Sequence, residues 1–184
     1  MNETDLHAGL AAYSTQPARP LKYLFFWGHQ PRKDGRISKS CFSQWYHSPF
    51  TLDGQLYPTA EHYMMAEKAR LFADIDALGK ILACQSPAEA KKLGRTVRDF
   101  NPTLWDNHCI TIVIKANYHK FSQNPELRDF LLTTGNRILV EASPIDVIWG
   151  IGLAKDDIQA ANPAQWPGKN LLGFALMEVR EQLA

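Results

Sequence analysis

The chain is arranged around one predicted helix, which is carried by the stretch Tyr57-Pro58-Thr59-Ala60-Glu61-His62-Tyr63-Met64-Met65-Ala66-Glu67-Lys68. Thr59 can accept a hydrogen bond from the free N–H groups of a first helical turn, so it predicts the N-cap. At about 100° per residue, Glu61 and Lys68 share a side of the helix that is otherwise apolar: Met64, Met65 and Phe72. A carboxylate and an amine are costly to desolvate there, so each is expected either to pair with an opposite charge or to take part in the function of the protein.

Glu61 and Lys68 are separated by two helical turns, roughly 10 Å along the axis. They are too far apart for a local ion pair, yet both could reach into one cavity. The plain alternative for Glu61 is an acid in the first turn that the helix dipole stabilises. For Lys68 it is a lysine whose stem packs while its amine reaches water. A desolvated lysine, in contrast, has a lowered pKa and can attack a sugar or carbonyl carbon.

Length and composition predict one compact domain. The chain has 184 residues, of which 45% are hydrophobic, and a net charge of +1. Residues 1–20 are polar and mixed, which is typical of a flexible lead-in, and residues 21–184 form the predicted domain. The near-zero charge gives no general attraction to nucleic acid. We see no signal peptide and no run near the roughly 18 apolar residues of a membrane span.

The cysteines predict reduced thiols in a cytoplasmic protein. Cys41, Cys84 and Cys109 form no CxxC pair, and no histidine lies at metal-ligand spacing. A metal site and a disulfide framework are therefore not expected. Neither a Walker loop nor a GxGxxG motif is present, and we expect no cofactor.

The order of local signals predicts an α+β fold, mainly helical and single-domain, with a small sheet. Strand patterns cover 22–27 and 137–142, and Asp53-Gly54 predicts a hairpin over 50–57. Cap and proline signals predict about five helices besides the first, at 76–84, 88–93, 102–121, 125–132 and 171–183.

Asp146 is the third ionisable residue in apolar surroundings, because it precedes Trp149-Gly150-Ile151-Gly152. As a turn residue after Pro144, it would bond to the backbone. Alternatively, it helps to form a ligand site in which Trp149 is a flat wall and the glycines allow a close approach. Spacing alone leaves both interpretations open.

Several motifs, taken in order, resemble the NADAR, or YbiA-like, family over about Lys22 to Ala184. They are Phe42-Ser43-Gln44-Trp45, the Tyr57–Tyr63 stretch with Lys68, Gly94-Arg95, Trp105, Leu139-Val140-Glu141 with Ser143–Gly152, Gly168-Lys169-Asn170-Leu171-Leu172-Gly173 and Leu176-Met177. The pair Gln44-Trp45 departs from the Asn-Phe that is common in the family.

The resemblance implies a YbiA-like fold and an N-glycosidase, a hydrolase that acts on N-glycosyl bonds. Family substrates are phosphorylated riboflavin-pathway intermediates, or ADP-ribose attached to guanine in DNA. Lys68 matches the family lysine proposed to attack the anomeric carbon, and Glu61 matches the acid/base carboxylate. Asp146 matches the motif that helps to shape the pocket, and we take it as the third catalytic candidate.

The same motifs imply substrate contacts from Gln44, Trp45, Arg95, Trp105, Trp149, Gly150, Lys169 and Asn170. Arg95, Lys169 and the basic loop Arg32–Arg36 are candidates for holding a phosphate. Direct attack by water between Glu61 and Asp146 is the alternative mechanism. Two other functions remain open: a module that binds ADP-ribose or a nucleotide without turnover, and a structural partner protein. We expect no membrane association and no obligate protein partner.

Overall fold

The computed structural model describes residues 22–184, so the predicted lead-in at 1–20 lies outside the described residues. The described part contains six α-helices and four strands, which confirms the α+β prediction. In chain order they are β1 (Tyr23–Phe26), β2 (Phe50–Leu52), β3 (Gln55–Tyr57), α1 (Ala60–Leu71), α2 (Ile75–Ala83), α3 (Pro87–Gly94), α4 (Pro102–Gln123), α5 (Pro125–Leu132), β4 (Ile138–Glu141) and α6 (Leu171–Leu183). Short 3-10 turns cover Lys39–Phe42 and Pro163–Gln165.

Side-chain caps explain where most of these helices begin. The side chains of Thr59, Asp74, Ser86 and Asn101 each accept a hydrogen bond from a backbone N–H in the first turn of α1, α2, α3 and α4, respectively. Helices α3, α4 and α5 also have proline in the first turn. Proline loses nothing there, because its missing N–H would have no partner within the helix.

The strands form two separate two-stranded sheets, where the sequence predicted one small sheet. Strands β2 and β3 are the predicted antiparallel hairpin, and its turn residues Asp53 and Gly54 have φ of 50° and 76°. Strands β1 and β4 pair in parallel, from Tyr23 opposite Ile138 to Phe26 opposite Glu141. A parallel pair needs a long crossover, and five helices lie between these two strands in the chain.

The core is built around α1 and α4. Helix α4 packs against α6 and α1, α6 covers β4, and α2 and α3 pack against α1. The side chains of residues 60–66 and Ala69 are all buried, so α1 is covered on most of its circumference and not along a single stripe. Within residues 22–184, no helix combines the length and apolar character that crossing a membrane requires.

Candidate active site

The first turn of α1 carries Glu61 into the interior. The Thr59 hydroxyl accepts from the backbone N–H of His62 at 3.4 Å and so caps the helix. The backbone N–H of Glu61 donates to the carbonyl of Gln44 at 3.0 Å. Glu61 is only 5% exposed, so desolvation of its carboxylate outweighs the stabilisation expected from the helix dipole.

The surroundings of Glu61 favour its protonated form. Burial raises the pKa of Glu61 to about 7, while the charge of Lys91 and a hydrogen bond from the Trp45 side chain pull it down. The negative charge of Asp146 raises this pKa, and the charge of Arg95 lowers it. A carboxyl that is partly protonated near neutral pH can act as a general acid and, once ionised, as a general base.

Lys68, near the other end of α1, lies among aromatic rings. Its Nζ is 4.1 Å from the ring centroid of Phe100 and 5.5 Å from that of Trp105. Burial lowers the pKa of Lys68, and the positive charge of Arg95 lowers it further. A larger fraction of the side chain is then the neutral amine, which is the nucleophilic form. Lys68 is therefore a half-buried amine over rings and not a fully solvated one.

Arg95 connects the two ionisable residues of α1. It is exposed, follows directly after α3, and its charge acts on both Glu61 and Lys68. Both side chains therefore lie within electrostatic range of the end of α3. Gly94 allows α3 to pack closely against α1, because a Cβ at that position would collide with the Met65 side chain of α1.

Glu141 is a second buried carboxyl in this region, and sequence reasoning did not name it as a site residue. It ends β4, and its Oε2 is buried without a hydrogen-bond partner among the described residues. Burial raises the pKa of Glu141 to about 8; the charges of Asp146 and Glu61 raise it, and Lys91 opposes them. In the sequence, the one signal for Glu141 was an acidic residue at the end of an otherwise apolar strand.

Lys91 is the second residue that sequence reasoning missed. It is half-buried on α3, and its charge lowers the pKa of both Glu61 and Glu141. Its Nζ lies 5.8 Å from the ring centroid of Trp45. A lysine four residues before Arg95 is typical of a solvated helix face, so only the packing of α3 identifies it.

Asp146 combines a turn function with proximity to the two glutamates. Its Oδ1 accepts from the backbone N–H groups of Ile148 at 2.9 Å and Trp149 at 2.8 Å, as the turn interpretation predicted. Its charge also acts on both Glu61 and Glu141. Charge interactions therefore link Asp146, Glu61 and Glu141, and Lys91 acts on the two glutamates. A catalytic role of Asp146 stays a prediction.

Helix α4 holds the segment that leads to Trp45. Asn117 Nδ2 donates to the side-chain oxygen of Gln44 at 2.8 Å. Lys120 is completely buried, and its Nζ donates to the carbonyl of Ser43 at 2.9 Å. The side chain of Gln44 is thus directed into the helix packing, whereas its backbone carbonyl positions Glu61. A substrate contact by Gln44 stays a prediction.

The loop after β4 is held in place by Asn170 and the glycines around it. Asn170 is fully buried with φ of 54°, and both ends of its side-chain amide bond to the backbone of β4. A Cβ on Gly150 would lie 2.8 Å from the Glu141 carbonyl. These two predicted substrate contacts thus shape the backbone next to Glu141, and a direct contact with substrate stays a prediction.

Two further predicted contacts lie on the outer side of this loop. Lys169 is exposed, and its backbone N–H donates to the carbonyl of Val147 at 3.0 Å. Trp149 is half-buried and packs against the core. In the loop after β1, Arg32 pairs with Asp34 at 2.7 Å, which neutralises part of that basic loop.

The described residues contain no group of three or more His, Cys, Asp or Glu side chains that could hold a metal ion. Cys41, Cys84 and Cys109 are buried, free thiols. Carboxyl groups, amines and aromatic rings make up the candidate site.

Comparison with known proteins identifies the family. A family model described as the NADAR domain matches residues 25–184. The chain belongs to the NADAR family. The matched residues include all six helices and every ionisable residue of the candidate site, so the resemblance predicted from the motifs is confirmed.

Individual NADAR relatives extend this finding. An N-glycosidase of Acanthamoeba polyphaga mimivirus is 48% identical over 166 residues, which cover 88% of this chain and 96% of that protein. The N-glycosidase YbiA of Escherichia coli is 37% identical over 145 residues, 79% of this chain and 80% of YbiA. These names bear out the predicted enzyme class.

Solved structures agree with the family assignment. The NMR structure of E. coli YbiA matches with a TM-score of 0.71 and 31% identity, covering 92% of this chain and 89% of YbiA. The predicted YbiA-like fold is confirmed. A riboflavin biosynthesis protein of maize, named PYRR and chloroplastic, is 34% identical over 137 residues, which are 69% of this chain but only 20% of the maize protein.

Proposed function

We propose that this NADAR protein is an N-glycosidase that hydrolyses the bond between a ribose and a nitrogen of a ribosylated base. One observation carries the proposal: a buried carboxyl, Glu61, and a desolvated amine, Lys68, lie on one helix. The charge of Arg95 lowers the pKa of both. The first can protonate a leaving base, and the second can trap an electrophilic sugar carbon. The names of the mimivirus and E. coli relatives support the same reaction.

In the proposed mechanism, the neutral amine of Lys68 attacks the anomeric carbon while the carbon–nitrogen bond to the base breaks. The proton of the Glu61 carboxyl goes to the departing nitrogen, so the base leaves neutral. Opening of the sugar ring then gives a Schiff base on Lys68. The Glu61 carboxylate activates water, which adds to the imine carbon and releases both the sugar and the lysine.

Direct attack by water is the alternative mechanism. It needs one carboxyl to protonate the base and a second, ionised one to activate water on the opposite face of the sugar. Glu61 and Asp146 are the pair considered from sequence. Glu141 is a third candidate, because its Oε2 is buried without a partner among the described residues.

The substrate we propose is phosphorylated. The name of the maize relative supports a riboflavin-pathway intermediate, and the family resemblance implies that it is phosphorylated. ADP-ribose on guanine in DNA is the second substrate class that the family implies, and the small net charge of +1 gives it no added electrostatic support. The buried free thiols are consistent with the proposed cytoplasmic location.

Release of free base from each substrate class tests the proposal. Lys68→Ala and Glu61→Gln should each lower kcat at least about 100-fold, because general acid or nucleophilic catalysis contributes this much or more. Lys115→Ala, on the exposed side of α4, is the control and should remain active. Full activity of both site variants would disprove the assigned roles.

Borohydride trapping separates the two mechanisms. With substrate present, the covalent route should leave a reduced sugar adduct on Lys68, which peptide mass spectrometry locates. Base release without any adduct would favour direct attack by water. Calorimetric binding of ADP-ribose without release of base or sugar from any substrate would instead support the alternative function, a non-catalytic binding module.

A further inference from the structure

The loop between α3 and α4, residues 95–101, carries an aromatic ring that lies against the amine of Lys68. The ring belongs to Phe100, and the Nζ of Lys68 is 4.1 Å from its centroid. The ring of Trp105, on α4, is further away, with its centroid 5.5 Å from the same nitrogen. A protonated amine is attracted to the face of an aromatic ring within about 6 Å. Phe100 is therefore the nearer ring that attracts a positive charge on this nitrogen.

Phe100 is not held over Lys68 by complete burial. It is 42% exposed, which leaves much of a large apolar side chain in contact with water. Its ring packs in a T-shaped arrangement against Phe72, with the two centroids 5.3 Å apart. Phe72 directly follows α1 and comes four residues after Lys68, so the two side chains are neighbours on one side of the helix. The place of Phe100 over the amine therefore depends on the loop that carries it.

Several contacts fix this loop. The backbone N–H of Arg98 donates to one carboxylate oxygen of Asp74 at 2.9 Å, and the guanidinium donates to the other at 2.7 Å. Asp74 is 4% exposed and also caps α2. Val97 is buried in the core, and Asp99 has φ of 54°, in the left-handed region that residues other than glycine adopt rarely. These contacts hold the backbone directly before Phe100.

A ring at this place acts on the charge that the proposed reaction develops on Lys68. The lone pair of Nζ forms the bond to the anomeric carbon, the bond from that carbon to the base breaks, and the base takes the proton of Glu61. The nitrogen of Lys68 therefore changes from neutral to positively charged. Burial and the charge of Arg95, which lower the pKa of Lys68, oppose that charge. The ring of Phe100 favours it.

We propose that Phe100 is a positioning residue for the reaction: its ring holds the nitrogen of Lys68 and stabilises the positive charge that forms there. The anchored loop in turn holds the ring. This proposal rests on the proposed N-glycosidase function, because the charge on Lys68 arises in that reaction. It adds a residue that none of the sequence motifs named.

Titration of Lys68 by NMR tests the contact without any reaction. The whole chain is labelled with ¹⁵N-lysine, and Lys68→Ala identifies the signal of Lys68. Phe100→Leu keeps an apolar side chain but removes the ring, so it should lower the pKa of Lys68 below that in the wild-type protein. Phe100→Tyr keeps the ring and should leave this pKa near the wild-type value. Phe130→Leu, at a half-buried phenylalanine of α5 that packs against Phe42, is the matched control and should not change it.

Single-turnover rates of base release test the role of Phe100 in the reaction. At a pH above the measured pKa of Lys68, the amine starts neutral and only the transition state carries the charge. Phe100→Leu should then release base at least about fivefold more slowly than wild type, and Phe100→Tyr should restore most of the rate. Below this pKa the ring also stabilises the starting ammonium, so the rates of Phe100→Leu and wild type should differ less. A purely structural role would lower the rate equally at both pH values.

The outcomes separate the role of Phe100 from the proposed function. A pKa of Lys68 that Phe100→Leu leaves unchanged or raises would overturn the proposal, and so would an equal loss of rate at both pH values. If the pKa falls as expected but no substrate loses its base, the contact between ring and amine stands and the proposed glycosidase function fails. If base is released and Phe100→Leu changes neither the pKa of Lys68 nor the rate, the reaction stands and the role of Phe100 is wrong.

Discussion

The side-chain oxygen of Asn170 accepts a hydrogen bond from the backbone N–H of Glu141 at 2.9 Å. The same side chain donates to the carbonyl of Leu139 at 3.0 Å. The buried side-chain amide of Asn170 thus satisfies two backbone groups of β4 that would otherwise need a neighbouring strand. These hydrogen bonds fix the backbone of Glu141 at the end of β4. The position of its side chain therefore does not depend on a hydrogen bond to Oε2.

Replacing Asn170 with alanine should destabilise the protein strongly. The substitution leaves a buried N–H of Glu141 and a buried carbonyl of Leu139 unpaired, which costs roughly 2–4 kcal/mol of the free energy of unfolding. Urea denaturation measures this loss. Asn162→Ala, which removes an exposed cap of the turn Pro163–Gln165, should cost only about 1 kcal/mol or less. Equal losses in the two variants would contradict this role of Asn170.

The stability of the protein should depend on pH through Glu141. The folded protein holds the pKa of this carboxyl at about 8, above its ordinary value of 4.5, so the folded state binds the proton more tightly. This contribution to stability is complete below pH 4.5 and is lost as the pH rises through about 8.

The variant Glu141→Gln keeps a neutral side chain at every pH and so isolates this effect. Relative to the variant, the wild-type protein should lose at least about 1.4 kcal/mol of stability between pH 4.5 and pH 9, the equivalent of one pKa unit. Thermal or urea denaturation across this range measures the difference. The stability of Glu181→Gln, a substitution at an exposed position of α6, should change with pH in the same way as that of the wild-type protein. A difference between wild type and Glu141→Gln that does not change with pH would refute the raised pKa.

Lys91 should set the pH above which base release declines. Glu61 must be protonated to act as the acid, and its pKa of about 7 places the falling limb of the kcat profile near this pH. The charge of Lys91 lowers the pKa of Glu61. Lys91→Ala should therefore move the falling limb to higher pH, whereas Lys92→Ala, exposed on the same helix, should leave it unchanged. A shift to lower pH would show that a different group limits the reaction.

Two glycines should respond in opposite directions to alanine. Gly94 faces α1, where an added Cβ would collide with Met65, so Gly94→Ala should lower the free energy of unfolding by about 1–3 kcal/mol. It should also lower activity, because it separates α3 from α1. Gly79 lies within α2 with nothing within 4 Å of an added Cβ, so Gly79→Ala should raise stability by up to about 1 kcal/mol. Stabilisation by both substitutions would mean that the contact between α1 and α3 is loose.

Much of the fold could be predicted from local chemistry. Cap residues such as Thr59, Ser86 and Asn101 precede helices, and the Asp53-Gly54 turn marks the hairpin. These signals act over a few residues, so they can be read from the chain. The parallel pairing of β1 with β4 could not be predicted, because no local turn connects two strands that are so far apart in sequence.

In the candidate site, too, local relationships could be predicted from the sequence and long-range ones could not. Glu61 and Lys68 share a helix, and their spacing along it is enough to suggest a common cavity. Lys91 and Glu141 lie on other elements, and only the packing of α3 on α1 and of β4 beside β1 brings their charges to Glu61. The apolar surroundings of Asp146 already singled it out, and the family resemblance added Trp45 as a site residue. Neither predicted that the Trp45 side chain acts on the pKa of Glu61.

The pairing of β1 with β4 also affects how the protein folds. Strand β1 is near the start of the described residues, and β4 follows five of the six helices. Such long-range contacts form late, because the chain loses much conformational entropy before they give any stabilisation. The helices can form first, but Glu141 comes near Glu61 only when this pair closes. A refolding chain would therefore regain its helical signal before it regains the carboxyl cluster, and any catalytic activity should return with the slowest phase.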